Sequence, residues 1–174
     1  DRYNADTLLS KGESAGFDGS QCAQVIIDVA TLFAYVYPQA SKSMDEAVSS
    51  LQHFAGLKNP KLFYSDNAPE LIAAAKSLSW PQDTSNPESA QTNGWVERRI
   101  RIIEEGTRVV LLSAGLIHKW WPWAARYFAW ARNVLPGSTV KDASGVTASR
   151  VSYYELRFKN GPFPGLVVPL GHLV

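Results

Sequence analysis

The chain has 174 residues, of which 45% are hydrophobic and 11% aromatic, so it can bury one sizeable core and a single domain is the default prediction. Its net charge of +1 neither requires nor excludes nucleic acid, because a local basic strip can bind phosphate on a nearly neutral chain. The lone Cys22 and the scattered histidines exclude a disulfide framework and a zinc site within this segment. No signal peptide or membrane span is predicted, and the abrupt start at Asp1 indicates a domain cut from a longer protein.

The first forty residues predict three short strands. The first covers residues 1–10, the second is the apolar run 22–29, and the third covers 32–37 before Pro38. The second and third are joined so closely that they must be antiparallel. Asp6 lies in the first strand, and Asp28 lies at the end of the second, where starting a turn is the commoner use of an aspartate.

A second group of elements brings another acid to the end of a strand. A capping box at Ser43 predicts the first helix. A fourth strand, residues 61–65, then delivers Asp66 at its carboxyl end, and a helix follows over residues 69–78. Open sheets place their chemistry at such junctions. The alternative for Asp66 is to cap the helix that follows it.

The longest predicted helix opens with a carboxylate. Its apolar residues fall at three- and four-residue steps on one face: Ile100, Ile103, Thr107 and Val110. Glu97 lies beside that face, and residues 85–94, which contain an Asn-Gly pair, are predicted as an irregular loop ahead of the helix. The alternative for Glu97 is to complement the helix dipole and pair with Arg101.

The final third is rich in aromatic residues. One segment is apolar nearly all round and contains Trp120, Trp121, Trp123, Tyr127, Phe128 and Trp130. Such a helix must be covered, either within the core or at a Trp-rich subunit interface. Residues 136–174 are rich in Pro and Gly and predict an irregular extension packed on the core formed by residues 1–135.

Three carboxylates, one in an early strand, one at the end of the fourth strand and one at the head of a later helix, can converge at a sheet edge. There they can hold two divalent cations, which polarise a phosphodiester and activate an attacking water or hydroxyl. Hard oxygen ligands suit Mg²⁺ or Mn²⁺. The sequence contains no nucleophile elbow, phosphate-binding glycine loop or metalloprotease helix that would favour other chemistry.

Two segments of the chain resemble the paired signatures of retroviral and retrotransposon integrase catalytic cores. They are residues 64–71, Tyr-Ser-Asp-Asn-Ala-Pro-Glu-Leu, and residues 87–99, which end in Gln-Thr-Asn-Gly-Trp-Val-Glu-Arg-Arg. Further similarity comes from four shorter pieces, at residues 27–28, 35–38, 111–116 and 153–156. The ordered set covers nearly the whole chain and is most similar to the copia class.

The resemblance implies an α/β, ribonuclease-H-like fold, in which helices flank a five-stranded mixed sheet that begins with three antiparallel strands. It also implies a catalytic triad of two aspartates and a glutamate that binds two Mg²⁺ or Mn²⁺ ions. Asp66 and Glu97 match the second and third acids, and Asp6 is the choice for the first, with Asp28 as the runner-up. The interval between Asp66 and Glu97 is shorter than is usual in the family, and Ala68 stands where a glycine is expected.

The implied reaction is phosphoryl transfer on DNA by a metal-dependent endonuclease and polynucleotidyl transferase. Water trims the 3′ ends of the element, and the exposed 3′ hydroxyl then attacks target DNA in the nucleus. The expected DNA contacts are Asn67, Gln91, Asn93, Arg98, Arg99 and Arg101. For the three arginines, a solvated helix face is the alternative.

Self-association on two DNA ends is also implied, with the Trp-rich helix as one candidate surface. No membrane and no small-molecule cofactor are expected. Two other functions stay open. One is a catalytically inactive, integrase-derived module for DNA binding or assembly, and the other is a different ribonuclease-H-like nuclease.

Overall fold

Helices cover both faces of a central sheet in the computed structural model, which describes residues 2–9, 15–84, 90–141 and 147–172. In chain order the elements are β1 Arg2–Leu9, β2 Cys22–Asp28, β3 Ala34–Gln39, α1 Met44–Ala55, β4 Leu62–Ser65, α2 Pro69–Ser77, β5 Gln82–Thr84, α3 Ala90–Ser113, a 3₁₀ turn His118–Trp120, α4 Trp121–Val134, β6 Ser138–Lys141, β7 Thr147–Val151 and α5 Tyr153–Phe158.

The main sheet has five strands in the order β3-β2-β1-β4-β5. Strand β2 is antiparallel to both of its neighbours, β1 and β3, whereas β4 runs parallel to β1 and β5 runs parallel to β4. The five-stranded mixed sheet expected from the sequence is therefore confirmed. Because β1 and β4 are parallel, their carboxyl ends meet at the same edge of the sheet.

Alternating residues of the strands supply two separate cores. One core lies under α1 and α2 and includes Tyr3, Ala5 and Ile26, all at most 3% exposed. The other lies under α3 and α4 and includes Val25 and Ile27. Every residue of β2 is buried, because both of its faces are covered. Each β1 residue can therefore be assigned to a face by its position along the strand.

The third strand is an edge strand, and it begins later than the sequence predicts. Leu32 has a φ of 63°, so the chain is still turning there and pairing with β2 starts at Ala34. Pro38 lies within the strand instead of ending it, which an edge strand tolerates. The Asn133 side chain in α4 bonds both backbone groups of Ala34, accepting from its N–H at 3.1 Å and donating to its C=O at 2.6 Å.

The first helix has the predicted N-cap residue, but the Glu46 side chain binds the preceding segment instead of completing the predicted capping box. Ser43 is the N-cap and its hydroxyl accepts a hydrogen bond from the Glu46 backbone N–H at 3.3 Å. The Glu46 carboxylate binds the preceding segment, accepting from the N–H groups of Ala40 at 3.2 Å and Ser41 at 3.1 Å. Gly56 ends the helix with a φ of 63°, a conformation that glycine adopts at little cost.

The third helix starts earlier than predicted, because Ala90 already belongs to it. The prediction that residues 85–94 are irregular is therefore wrong for 90–94, and residues 85–89 lie outside the described residues. A glycine within a helix costs only about 1 kcal/mol, which packing of a 24-residue helix readily offsets. The predicted apolar face is confirmed, since Ile100, Ile103 and Thr107 are buried.

Small residues of α4 face the sheet, and its large aromatic residues lie on the flanks. Ala124, Ala125 and Ala129 are at most 3% exposed, whereas Trp120 is 38% exposed. The prediction that the aromatic residues enter the core is thus right for Trp121 and only partly right for the half-buried Trp123, Tyr127, Phe128 and Trp130. It is wrong for Trp120, which precedes α4 and is exposed. Alanines let α4 approach the sheet closely. No described helix combines the length and apolar character needed to cross a bilayer.

The carboxyl-terminal segment is more regular than predicted. It contains the β6-β7 hairpin and the short helix α5, which has a complete capping box between Ser152 and Glu155. Arg157 in α5 reaches the first core, and Leu170 packs against the second. The division into a core of residues 1–135 and an extension of 136–174 stays a prediction.

Candidate active site

Two of the predicted acids lie at the carboxyl ends of neighbouring parallel strands. The β1–β4 register pairs Ala5 with Ser65, so the next residues, Asp6 and Asp66, lie side by side on strands that are about 4.8 Å apart. Because Ala5 faces the core under α1 and α2, Asp6 faces the opposite side, toward α3 and α4. The Asp6 side chain is half-buried and the Asp66 side chain is exposed.

The local fold explains the conformation of Asp66. One of its carboxylate oxygens accepts a hydrogen bond from the Ala68 backbone N–H at 3.3 Å, which forms the turn into α2. The N-cap of α2 is Ala68, with no side-chain cap bond, and Pro69 occupies the first turn. Asp66 is therefore not the cap of this helix, which was the alternative considered for it; its carboxylate stabilises a turn that begins two residues before the N-cap.

Glu97 lies on a helix that covers the face of the sheet toward which Asp6 points. It lies on α3, which packs on the core that contains Val25 and Ile27, and it precedes the buried Ile100 by about one turn. Its side chain is exposed. Within the described part of the chain, Glu97 and Arg101 form no ion pair within 4.0 Å.

The electrostatics of Asp6 link the three acids. Burial, the largest cause, and the negative charges of Asp66 and Glu97 together raise the pKa of the Asp6 carboxyl to about 6. A hydrogen bond from the Thr7 backbone N–H, at 2.6 Å, and the positive charge of Lys42 act in the opposite direction. Asp6 is thus a partly buried acid under the influence of two other carboxylates, and its negative charge is incompletely compensated.

A divalent cation fits this site in charge and in donor chemistry. Carboxylate oxygens are the ligands that Mg²⁺ and Mn²⁺ prefer, and a cation would relieve the repulsion that raises the pKa of Asp6. In the described residues, however, no three His, Cys, Asp or Glu side chains are close enough to share one ion. The β1–β4 register makes Asp6 and Asp66 neighbours along the backbone, and Glu97 belongs to a separate element, α3.

Asp28, the runner-up for the first acid, has a different environment. It is paired with Tyr3 across the β1–β2 ladder, three residues before Asp6, and so lies on the opposite face of the sheet, roughly 10 Å away along the strand. Its carboxylate accepts hydrogen bonds from the Ala30 N–H, the Thr31 hydroxyl and the Arg157 guanidinium at 2.9–3.1 Å. This geometry favours Asp6 over Asp28.

The predicted DNA contacts fall on two elements. Asn67 is exposed at the turn after β4, next to Asp66. Gln91 and Asn93 lie in the first turns of α3, and their side chains lie outside the described part of the structure. Arg98, Arg99 and Arg101 follow on α3, where the first and last are exposed and Arg99 is half-buried.

Sequence reasoning missed two charged residues at these sites. Lys42 acts on Asp6 from the β3–α1 connection, and Arg157 binds Asp28 from a position 129 residues later in the chain. Neither residue belongs to a recognisable motif. Only the strand order and the packing of α5 bring them to the acids.

The chain is similar to known proteins in fold and over part of its sequence. No protein-family model matches it. A Pro-Pol polyprotein of feline foamy virus is 29% identical over 102 residues, which are 56% of this chain and 9% of the polyprotein, so the chain spans about a tenth of that relative's length. The catalytic core domain of BIV integrase matches with a TM-score of 0.62 and 14% identity, over 91% of this chain and 93% of that one.

A second solved structure gives the same result. A chain in the simian T-cell lymphotropic virus intasome, in complex with PP2A regulatory subunit B56 gamma, matches with a TM-score of 0.66 and 19% identity over 95% of this chain and 57% of that one. The expected ribonuclease-H-like fold and the resemblance to integrase catalytic cores are therefore confirmed.

Proposed function

Given an integrase-core fold, we propose that the chain is a metal-dependent polynucleotidyl transferase that processes the 3′ ends of DNA and joins them to target DNA. The observation that carries this proposal is the meeting of Asp6 and Asp66 at one sheet edge, with Glu97 on the helix above. The similarity to integrase cores and to a retroviral polyprotein supports it.

In this proposal Asp6, Asp66 and Glu97 hold two Mg²⁺ or Mn²⁺ ions. When bound, such ions polarise the scissile phosphodiester, lower the pKa of the attacking water or hydroxyl and stabilise the leaving oxygen. The partial burial of Asp6 keeps bulk water from weakening its interaction with a cation. Its position on a central strand fixes the carboxylate before substrate binds.

Substrate binding in this proposal falls to the residues around the acids. Asn67, Gln91 and Asn93 shape the DNA-binding surface, and the α3 arginines Arg98 and Arg101 contact phosphates from the exposed side of the helix. The half-buried Arg99 has less access to substrate, so we assign it a smaller share of the binding energy.

The finer parts of the proposal concern the protein's origin and assembly. We propose a copia-class retrotransposon origin, from the residues that carry the resemblance, and a nuclear site of action on chromosomal DNA. Joining two DNA ends needs more than one copy, and the half-buried aromatic flank of α4 is our candidate for a contact between copies.

The second candidate function is a catalytically inactive DNA-binding or assembly module with an integrase fold. One observation favours it: in the described residues, the three acids are not close enough to share one ion. The two functions differ in a property that can be measured directly, which is the response to divalent metal.

The test is cleavage and rejoining of a branched DNA that mimics the integration product, in Mg²⁺ or Mn²⁺. We expect metal-dependent activity that falls by at least about a hundredfold in Glu97→Gln. Glu105→Gln, which removes an exposed charge from the same helix, is the matched control and should retain activity. Equal activity of wild type and Glu97→Gln, or no activity together with no rise in melting temperature on adding Mn²⁺, would favour the inactive module.

A further inference from the structure

Lys42 lies at the sheet edge that carries the acids. Strands β1 and β3 run in the same direction, because each is antiparallel to β2. Their carboxyl ends meet at Cys22, which is paired with Leu9 on one side and with Gln39 on the other. Lys42 follows β3 by three residues, so it stands at the edge where β1 and β4 deliver their aspartates.

The backbone around Lys42 is held on both sides. The Glu46 carboxylate accepts hydrogen bonds from the Ala40 N–H at 3.2 Å and from the N–H and hydroxyl of Ser41 at 3.1 and 3.0 Å. Ser43 is the N-cap of α1, and its carbonyl accepts the Ala47 N–H at 3.1 Å. The backbone position from which the Lys42 side chain extends is therefore fixed.

The charge of Lys42 is available to a ligand. Its side chain is exposed, and within the described residues it forms no ion pair within 4.0 Å. Of the two acids in the first turn of α1, Asp45 is exposed, and Glu46 uses both carboxylate oxygens on the segment before the helix. The Lys42 charge also acts on the Asp6 carboxyl, together with those of Asp66 and Glu97. A solvent-facing cation thus acts on Asp6, one of three carboxylates that would otherwise repel a polyanion.

From this placement, we infer that Lys42 binds a DNA phosphate adjacent to the candidate active site and lowers the electrostatic cost of bringing DNA to three carboxylates. The inference rests on the proposed function, since it deepens the account of substrate binding at the same site. A lysine ammonium suits this role because it is a point charge that accepts several phosphate positions. Each such contact releases counterions from DNA and so adds to the salt dependence of binding.

The test is equilibrium binding of the branched DNA over a series of salt concentrations, in chelator and without turnover. For Lys42→Ala we expect weaker binding and a salt slope that is smaller by about one, with Lys42→Arg close to wild type. Lys58→Ala is the matched control, because Lys58 is an exposed lysine beyond the other end of α1, about 18 Å of helix away. It should leave affinity and slope unchanged.

Steady-state kinetics give a second readout. Loss of a phosphate contact should raise KM in Lys42→Ala with little change in kcat. An unchanged salt slope, or a fall in kcat at unchanged affinity, would overturn the inference and indicate that Lys42 acts only on the acids. A chain that binds DNA with the Lys42-dependent slope yet cleaves nothing would contradict the proposed chemistry and leave the phosphate contact intact.

Discussion

Asp6 and Asp28 lie on adjacent strands, β1 and β2, and their environments are opposite. Asp28 is 5% exposed and has a cationic partner, Arg157, whose guanidinium also lies 4.3 Å from the centre of the Phe54 ring and donates to the Phe54 carbonyl. Burial and the like charges of Asp66 and Glu97 raise the pKa of Asp6 to about 6. The charge of Asp28 is thus balanced by a cation of the protein itself, whereas the charge of Asp6 could be balanced by a bound cation.

This difference shows how to separate structural acids from functional ones in a single sheet. A buried carboxylate with three donors around it stabilises the fold and has little capacity left for a ligand. A carboxylate held near other carboxylates costs stability, and such an arrangement persists where a cation or substrate completes it. Sequence alone ranked the two aspartates closely, whereas their partners separate them.

The largest expected effect is at the ion pair between Arg157 and Asp28. Arg157→Ala leaves Asp28 buried without its cation and removes the packing on Tyr3, Phe33 and Phe54. We expect the free energy of unfolding to fall by about 3–5 kcal/mol, measured by urea denaturation. Lys159→Ala, at an exposed position two residues later, should change it by less than about 0.5 kcal/mol. A loss below about 1 kcal/mol for Arg157→Ala would mean that the ion pair contributes little to the stability of the fold.

Substitution of Asp6 should raise the free energy of unfolding, in contrast to substitution of Arg157. Between the ordinary pKa of 3.8 and the folded value of about 6, the folded chain holds the proton more tightly, so stability falls as pH rises through this window. Asp6→Asn removes that cost, and we expect it to raise the free energy of unfolding at pH 7 by about 1–3 kcal/mol while abolishing DNA cleavage.

The pH profile provides the check on Asp6. The difference in stability between wild type and Asp6→Asn should be small near pH 4 and grow toward pH 7, whereas Asp83→Asn, at an exposed acid on β5, should track wild type. A variant that is less stable than wild type at pH 7 would show that the Asp6 charge is compensated after all.

The smallest expected effect tests a single hydrogen bond to Asp28. Thr31→Val keeps the shape of the side chain and removes the hydroxyl that donates to the Asp28 carboxylate at 2.9 Å. The expected loss is about 1 kcal/mol of stability with DNA binding unchanged, and Thr31→Ser should recover most of it because the hydroxyl is restored. If Thr31→Val changed DNA binding and left stability alone, Asp28 would belong to the functional site.

Much of the fold follows from local patterns. The buried run of β2 and the Ser43 cap were predicted within a residue or two, because hydrophobicity and capping are properties of neighbouring residues. The start of α3 was not, since an Asn-Gly pair favours a turn locally and the packing of a long helix overrides that preference. The turning conformation of Leu32 was missed for a similar reason, as its apolar side chain gives no sign of a positive φ.

Some residues of the site could likewise be identified from local sequence, and others depend on how distant elements pack. Asp66 and Glu97 could be named because they stand in signatures that resemble a known family, and Asp6 needed the further assumption that it occupies the first strand. That Asp6 lies beside Asp66 depends on the β1–β4 register, which no local pattern specifies. The contacts of Lys42 and Arg157 depend on how distant elements pack, so sequence patterns gave no sign of them.

The Asn133 bond to Ala34 has a consequence for how copies of this protein can join. Along β3, alternate residues turn their backbone groups away from β2, and Asn133 occupies both groups of Ala34 while Pro38 has no N–H to offer. Among the described residues of this edge, the two backbone groups of Val36 and the Pro38 carbonyl remain, and these are too few to pair with another strand. This border of the sheet therefore resists fibre-like growth and strand exchange, and an assembly built on this side must use side chains.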